Sequence, residues 1–315
     1  MPAEWEPHGA TWLAWPHFKG DWPGKFEPIP WVYAEIIRHL SRHERVELIV
    51  NNADSEKRAR KTLKLANVLN KTIRFHRWPT NRVWTRDSGC TFTVDGATGV
   101  PARQAERSSA PLQATKWRFN AWAKYPNYRH DDKMGSLMAK AAGAEEIRAH
   151  HADARVVLEG GSIEVNGRGT LITTEECLLS RVQQRNPGFR REDYEQIFTK
   201  YLVEPNRNDK NHNPLAQNLR RLKSATDQDG KRFEVVELLM PAPVIFEGRR
   251  LPASYGNFYI ANGIVLVPVF NDPNDRVALN LLAELFPTRE IIPIYSGDLI
   301  WGFGAMHCMT QQQPR

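Results

Sequence analysis

Three features of the sequence predict a mixed α and β (α+β) fold. Amphipathic stretches with helical spacing alternate with short β-branched runs, and Asn-Gly or Asp-Gly dipeptides follow several of those runs. No Gly-x-Gly-x-x-Gly or Walker sequence follows any of them, so a nucleotide-binding fold has no local support.

The elements follow in chain order. Trp31 to Arg42 sets Val32, Ile36, Ile37 and Leu40 on one face, which predicts the first helix. Val46 to Val50 reads as a strand, Ser55 to Val68 as the second helix and Ile73 to His76 as the next strand. Cys90 to Val94 is a strand ending at Asp95-Gly96, and Asp132 to Ala142 is a helix. Ser162 to Val165 leads through Asn166-Gly167 into a further strand-like run. Helices are expected over Arg191 to Leu202, Pro214 to Ser224 and Arg276 to Leu285, and a strand over Glu234 to Leu238. Asn257 to Ala261 precedes Asn262-Gly263. Two-residue hairpin turns require positive φ at both central positions, which Asn-Gly and Asp-Gly tolerate best. Three similar hairpins suggest one repeated hairpin-plus-helix unit. The spacing is uneven, with the second interval well short of two of the first, so either the repeat is coincidental or part of one unit is absent.

Composition narrows the function. With 315 residues, 41% hydrophobic and 25% charged, the chain resembles a globular protein that buries a sizeable core. No stretch approaches the ~20 apolar residues of a membrane span. The opening Met1-Pro2-Ala3-Glu4-Trp5 has neither the cationic nor the apolar block of a signal peptide, so a cytoplasmic protein is expected. The net charge is +7, but the basic residues are scattered through helical segments such as Lys57 to Lys61 and Arg220 to Lys223. That pattern favours solvated faces or steering toward anions over a nucleic-acid partner, which would want a contiguous Lys/Arg face. Three cysteines, Cys90, Cys177 and Cys308, are too few and too scattered for a disulfide framework or a zinc site.

Several segments could carry chemistry. Trp301-Gly302-Phe303-Gly304-Ala305-Met306-His307-Cys308 approaches a cysteine through two glycines that permit tight turns, and a polar run follows. A lone cysteine is commonly a small buried hydrophobe; this setting fits a nucleophile equally well. In an extended strand His307 would point to the opposite face, making it a poor base. Trp84-Thr85-Arg86-Asp87 reads either as a loop ion pair or as a carboxylate that clamps a planar cation beside an aromatic wall. Glu159 ends an apolar run before Gly160-Gly161; it is a solvent-facing strand end or, if buried, needs a cationic or histidine partner. Phe119 to Tyr125 is loop packing or a pocket wall. His39 and His43 have i, i+4 spacing but lack a neighbouring Glu and a third ligand, which favours a solvated helix end.

Together these segments resemble one family. Met1 to His8 with Ala10 to Pro16 is similar to its opening. Trp84 to Asp87, Phe119 to Lys124, Leu158 to Ser162, Leu171 to Leu179 and Ala253 to Gly263 are similar to its internal motifs, and His307 to Gln312 to its C-terminal signature. The chain resembles agmatine deiminase and the bacterial peptidylarginine-deiminase-like proteins of the guanidine-modifying superfamily. The resemblance implies a pentein, a five-fold pseudo-symmetric α/β propeller, in a single catalytic domain over 1–315. It implies hydrolysis of a small guanidino substrate to a urea and ammonia, with agmatine going to N-carbamoylputrescine. Cys308 would be the nucleophile, Asp87 the guanidinium clamp with Trp84 as its wall, and Glu159 the partner of a catalytic histidine. No metal and no organic cofactor are implied; a homo-oligomer is. Peptidyl or free arginine is the alternative substrate, and an inactive guanidine-binding or interaction protein is the alternative of another class.

The departures are informative. Family members carry, after the helix matching Arg191 to Leu202, a Gly-Asp-Asp and then a Gly-His-x-Asp that supplies the general acid/base and a second clamp. Here Tyr201-Leu202 runs directly into Val203-Glu204-Pro205, and no Gly-His-x-Asp occurs. Cys90 stands where proline is usual. Loss of the segment would leave an unpaired edge in a closed ring, which favours a stretch omitted between Leu202 and Val203 over a true deletion. An omission would separate their Cα atoms by far more than ~3.8 Å.

Overall fold

Three sheets share one plan: an antiparallel pair of strands, then a helical crossover to a parallel third strand. In the first, His8–Ala14 pairs antiparallel with Gln311–Pro314 and parallel with Arg45–Val50, which pairs parallel with Ile73–Arg77. Parallel neighbours need a crossover, and the helices Ile29–His43 and Ala53–Leu65 supply the two. The first buries Tyr33 together with Ile36, Ile37 and Leu40, the three aliphatic side chains each worth roughly 1.5–3 kcal/mol out of water. The second starts where the Asn52 side chain accepts the Ser55 N–H at 2.9 Å. In the second sheet Tyr259–Ala261 pairs antiparallel with Ile264–Val269, and the helix Asn274–Leu285 crosses to the parallel Glu290–Tyr295. In the third, Thr91–Val94 pairs antiparallel with Leu112–Lys116, which lies parallel to Glu145–Arg148 after the helix Met134–Ala142. A further hairpin, Ile163–Val165 with Leu171–Thr173, is followed by the helix Arg191–Tyr201.

The computed structural model describes residues 1–94, 111–201 and 224–315. The turn Asp95-Gly96, the expected helix from Pro214 and the Leu202–Val203 junction lie outside the described residues. The chain divides into two compact units. One comprises Met1–Ala3, Cys90–Pro126 and Gly135–Glu237; its core gathers Trp117, Val156, Leu158, Tyr194 and Ile197. The other comprises Glu4–Gly89, Asn127–Met134 and Leu238–Arg315 and holds the first two sheets.

Four local expectations need correction. Glu234 to Leu238 forms no strand, because no partner strand lies beside it among the described residues and Val236 stays 40% exposed. At Asn262-Gly263 only the glycine takes positive φ (72°). Asn262 instead exchanges two hydrogen bonds with the His8 backbone, at 2.9 and 2.8 Å, which fix it outside the left-handed region. The Asn166-Gly167 connection spans five residues rather than two, since Val165 pairs with Leu171. The polar run after Cys308 is not a solvent exit: Gln311, Gln312 and Gln313 are buried in a strand, and Gln313 accepts the Trp12 indole N–H at 3.1 Å.

Candidate active site

The short helix Thr85–Ser88 follows directly on Trp84 and packs against the helix Met306–Met309. Two side chains of the first bind the second. The Thr85 hydroxyl donates to the Met309 carbonyl at 2.6 Å, and Arg86 Nε donates to the His307 carbonyl at 3.2 Å. Arg86 is buried and directs further donors to Gln312 Oε1 and Glu4 Oε2, both at 2.6 Å. The carboxylate that Arg86 meets is therefore Glu4, from a distant segment, rather than its sequence neighbour Asp87. Burial opposes a charge on Glu4, yet Arg86, His307 (Nε2 at 3.2 Å) and the Ile260 N–H (2.9 Å) hold its carboxyl at about 2.

Cys308 sits on a single helical turn, not in a strand. His307 consequently does not point to the opposite face of a strand; its ring Nε2 meets Glu4 Oε2 at 3.2 Å. The Asn257 amide nitrogen donates to Cys308 Sγ at 3.2 Å. Burial and the negative charge of Asp87 push the Cys308 thiol up, while Asn257, the Ala305 backbone and Arg86 pull against them. The expected role of Gly302 and Gly304 also changes, because neither takes a positive φ; Phe303 does, at 65°. The glycines supply room instead. A Cβ at 302 would meet the Trp22 ring at 2.8 Å, and one at 304 would meet Trp84 at 2.6 Å and the Cys308 Cβ at 3.1 Å.

Trp84 is buried at 6% exposure, with its ring centroid 6.1 Å from that of Trp22. It supports the Gly304 turn from behind. Cys90 is fully buried and its thiol is pushed up to about 12, so it is an inert core residue. His39 pairs with Glu35 at 3.0 Å, and among the described residues no group of three or more His, Cys, Asp or Glu could hold a metal.

The other unit holds Glu159, just before the turn Gly160–Ser162. It is buried, and its cationic partner among the described residues is Arg185, whose Nε donates at 2.8 Å; a histidine partner is not what the described chain supplies. Burial raises this carboxyl and Arg185 only partly offsets it. In the Phe119 to Tyr125 segment, Ala121, Trp122 and Ala123 all take positive φ of 51° to 57°, and the turn closes where Asn120 Oδ1 accepts the Ala123 N–H at 3.0 Å.

Asp87, Trp84 and Cys308 thus lie in one unit and Glu159 in the other. Sequence reasoning missed Glu4, Asn257 and Arg185. Glu4 and Asn257 stand inside stretches that carried the family resemblance, but nothing local marks either as a contact of the cysteine turn.

Comparison with known proteins identifies the family. The sequence profile of the Porphyromonas-type peptidyl-arginine deiminases matches residues 1–204 and 201–314. Agmatine deiminase of Ectopseudomonas mendocina is 30% identical over 373 aligned positions, covering all of this chain and 95% of that protein. The solved agmatine deiminase of Enterococcus faecalis superposes with a TM-score of 0.84 at 26% identity, covering 100% of this chain and 95% of that one. A cysteine-to-serine variant of the C. jejuni agmatine deiminase, solved with substrate bound, shares the fold with a TM-score of 0.78 at 23% identity, covering 100% and 96%. The chain belongs to the Porphyromonas-type peptidyl-arginine deiminase family.

Proposed function

We propose that this protein hydrolyses the guanidinium group of agmatine, giving N-carbamoylputrescine and ammonia, through a covalent intermediate on Cys308. The observation that carries the reading is the placement of the Cys308 thiol and the Asp87 carboxylate on two packed helices, with the charge of Asp87 acting on the thiol. Asp87 accepts the guanidinium N–H groups and turns the planar cation toward the sulfur. The bound cation cancels the charge that otherwise raises the thiol, so substrate binding itself favours the thiolate. Sulfur then bonds to the guanidinium carbon, and the tetrahedral adduct expels ammonia to leave an amidino-thioether. Water adds to that carbon, the C–S bond breaks, and the urea leaves with the thiol restored.

Proton transfer in these steps belongs to a histidine, and we assign it to a stretch that the full-length protein carries between Leu202 and Val203. Three observations support that stretch. The family profile matches in two pieces that meet at 201–204. The relative from Ectopseudomonas aligns over 373 positions against 315 residues. The hairpin Ile163–Thr173 and its helix Arg191–Tyr201 follow the shared sheet plan, yet no third strand stands among the described residues. With that stretch in place the chain makes a pentein ring of five units in one domain, and Glu159 pairs with the histidine and raises its basicity. We place the enzyme in the cytoplasm as a homo-oligomer with a small-molecule substrate.

The test is ammonia release from agmatine, free arginine and a peptidyl arginine, by the chain as it stands and with a relative's stretch inserted after Leu202. Turnover of agmatine by the second form is expected. Silence of both forms with Cys308 reduced would sink the reaction. The missing Gly-His-x-Asp favours a second reading for the chain as it stands, a guanidine binder that does not turn over. Calorimetric binding of agmatine without ammonia release would establish it.

A further inference from the structure

Asn257 touches the reacting sulfur in a way that fixes which of its atoms does so. The residue precedes the strand Tyr259–Ala261 and faces the first turn of the helix Met306–Met309. The His307 N–H donates to Asn257 Oδ1 at 3.0 Å and to the Asn257 carbonyl at 3.2 Å. An N–H can only donate, so the side-chain atom facing it must be the oxygen. The amide nitrogen is thereby turned to Cys308 Sγ at 3.2 Å, as a donor that cannot rotate to become an acceptor. A thiolate accepts such a bond more strongly than a thiol does.

We propose that Asn257 is a catalytic residue whose amide N–H stabilises the thiolate of Cys308 and so prepares it for attack. The surroundings make the donor consequential. Asp87, on the facing helix, disfavours the thiolate, and burial does the same. Arg86 on that helix favours it from a distance but directs its donors to Glu4, Gln312 and the His307 carbonyl. His307, on the cysteine's own turn, directs its ring to Glu4. The Ala305 backbone also favours the thiolate, and among the described residues Asn257 is the side chain that donates a hydrogen bond to the sulfur.

The inference rests on Cys308 being the nucleophile, and its test does not depend on turnover. The rate of Cys308 alkylation by iodoacetamide is followed against pH by mass spectrometry of its peptide, with Cys177 in the same sample as the reference thiol. Asn257→Asp keeps the oxygen that accepts the His307 N–H and removes the donor; Asn257→Ala removes the donor without adding charge. For Asn257→Asp the inflection should move up by a unit or more, with alkylation about tenfold slower at neutral pH. For Asn257→Ala the shift should be smaller and in the same direction. Thermal melting shows that each variant is folded. A wild-type inflection in either folded variant overturns the proposal; a shift confined to Asn257→Asp would make charge, not the lost donor, the cause. Because alkylation and ammonia release are read separately, a protein that shows the shift but never deiminates agmatine would refute the proposed reaction while still showing that Asn257 stabilises the thiolate.

Discussion

Two buried glutamate–arginine pairs, one in each unit, look alike and behave oppositely. Glu4 with Arg86 and Glu159 with Arg185 are both nearly excluded from solvent, at nitrogen–oxygen distances of 2.6 and 2.8 Å. Yet the first carboxyl is lowered to about 2 and the second is raised. The difference is the number of donors. Glu4 receives Arg86, His307 and the Ile260 N–H, enough to outweigh the loss of water. Glu159 has Arg185 and its own backbone N–H against burial, and burial wins. One ion pair does not make a buried carboxylate comfortable; a full shell of donors does. The satisfied glutamate belongs to the scaffold of the cysteine turn. Glu159 keeps fewer donors around its charge, and burial raises its carboxyl.

The comparison can be broken in several ways, of decreasing size. Cys308→Ser should abolish ammonia release from agmatine while the melting temperature stays close to wild type; a fully active variant would remove Cys308 as nucleophile. Arg86→Met should cost roughly 3–5 kcal/mol, because it strands Glu4 as a buried charge and unties Gln312 and His307. Arg185→Met should cost less, about 1–2 kcal/mol, since burial already raises the Glu159 carboxyl and fewer donors hold its charge. Urea midpoints at unchanged slope measure both, and equal losses would erase the distinction.

The pH dependence sharpens the same contrast. Glu4 has a lowered folded value, so its contribution is present above the ordinary 4.5 and is lost as pH falls toward about 2, on the order of 3 kcal/mol in all. Glu4→Gln should lack that acid limb. Glu159 has a raised folded value, so its charge costs stability at neutral pH and the cost fades as pH falls through the raised value toward 4.5. Glu159→Gln should therefore melt higher than wild type near pH ~8 and converge with it below 4.5; a variant melting lower at the alkaline end would contradict the raised value. The smallest effect lies in the Glu159 unit. Ala123 is exposed at φ 56°, where a Cβ costs about 1 kcal/mol, so Ala123→Gly should stabilise by roughly that amount in urea.

Much of this was legible beforehand. The helices Ile29–His43, Ala53–Leu65 and Asn274–Leu285 and the strands Arg45–Val50 and Ile73–Arg77 follow from hydrophobic spacing, because their periodic faces are the faces they bury. The Asn262-Gly263 hairpin was legible as a turn but not in its dihedrals, which His8, far away in sequence, decides. Glu234 to Leu238 misled for the opposite reason: a β-branched run needs a partner strand to become one. Among the candidate residues, Asp87, Cys308 and Glu159 were marked by their glycine and aromatic neighbours. Glu4 and Asn257 were not, since their chemistry lies in contacts made 82 and 51 residues away.

The sequence by itself determined the family and the α+β alternation and singled out the candidate cysteine and carboxylates, because motif chemistry and local periodicity are written along the chain. Only the tertiary structure decided how those residues are held. It put Cys308 on a helical turn rather than a strand, gave Arg86 to Glu4 rather than Asp87, made Gly304 a matter of room rather than φ, and aimed an amide at the sulfur. Those outcomes depend on which donors and surfaces meet when distant segments pack, and burial then sets how strongly each one counts.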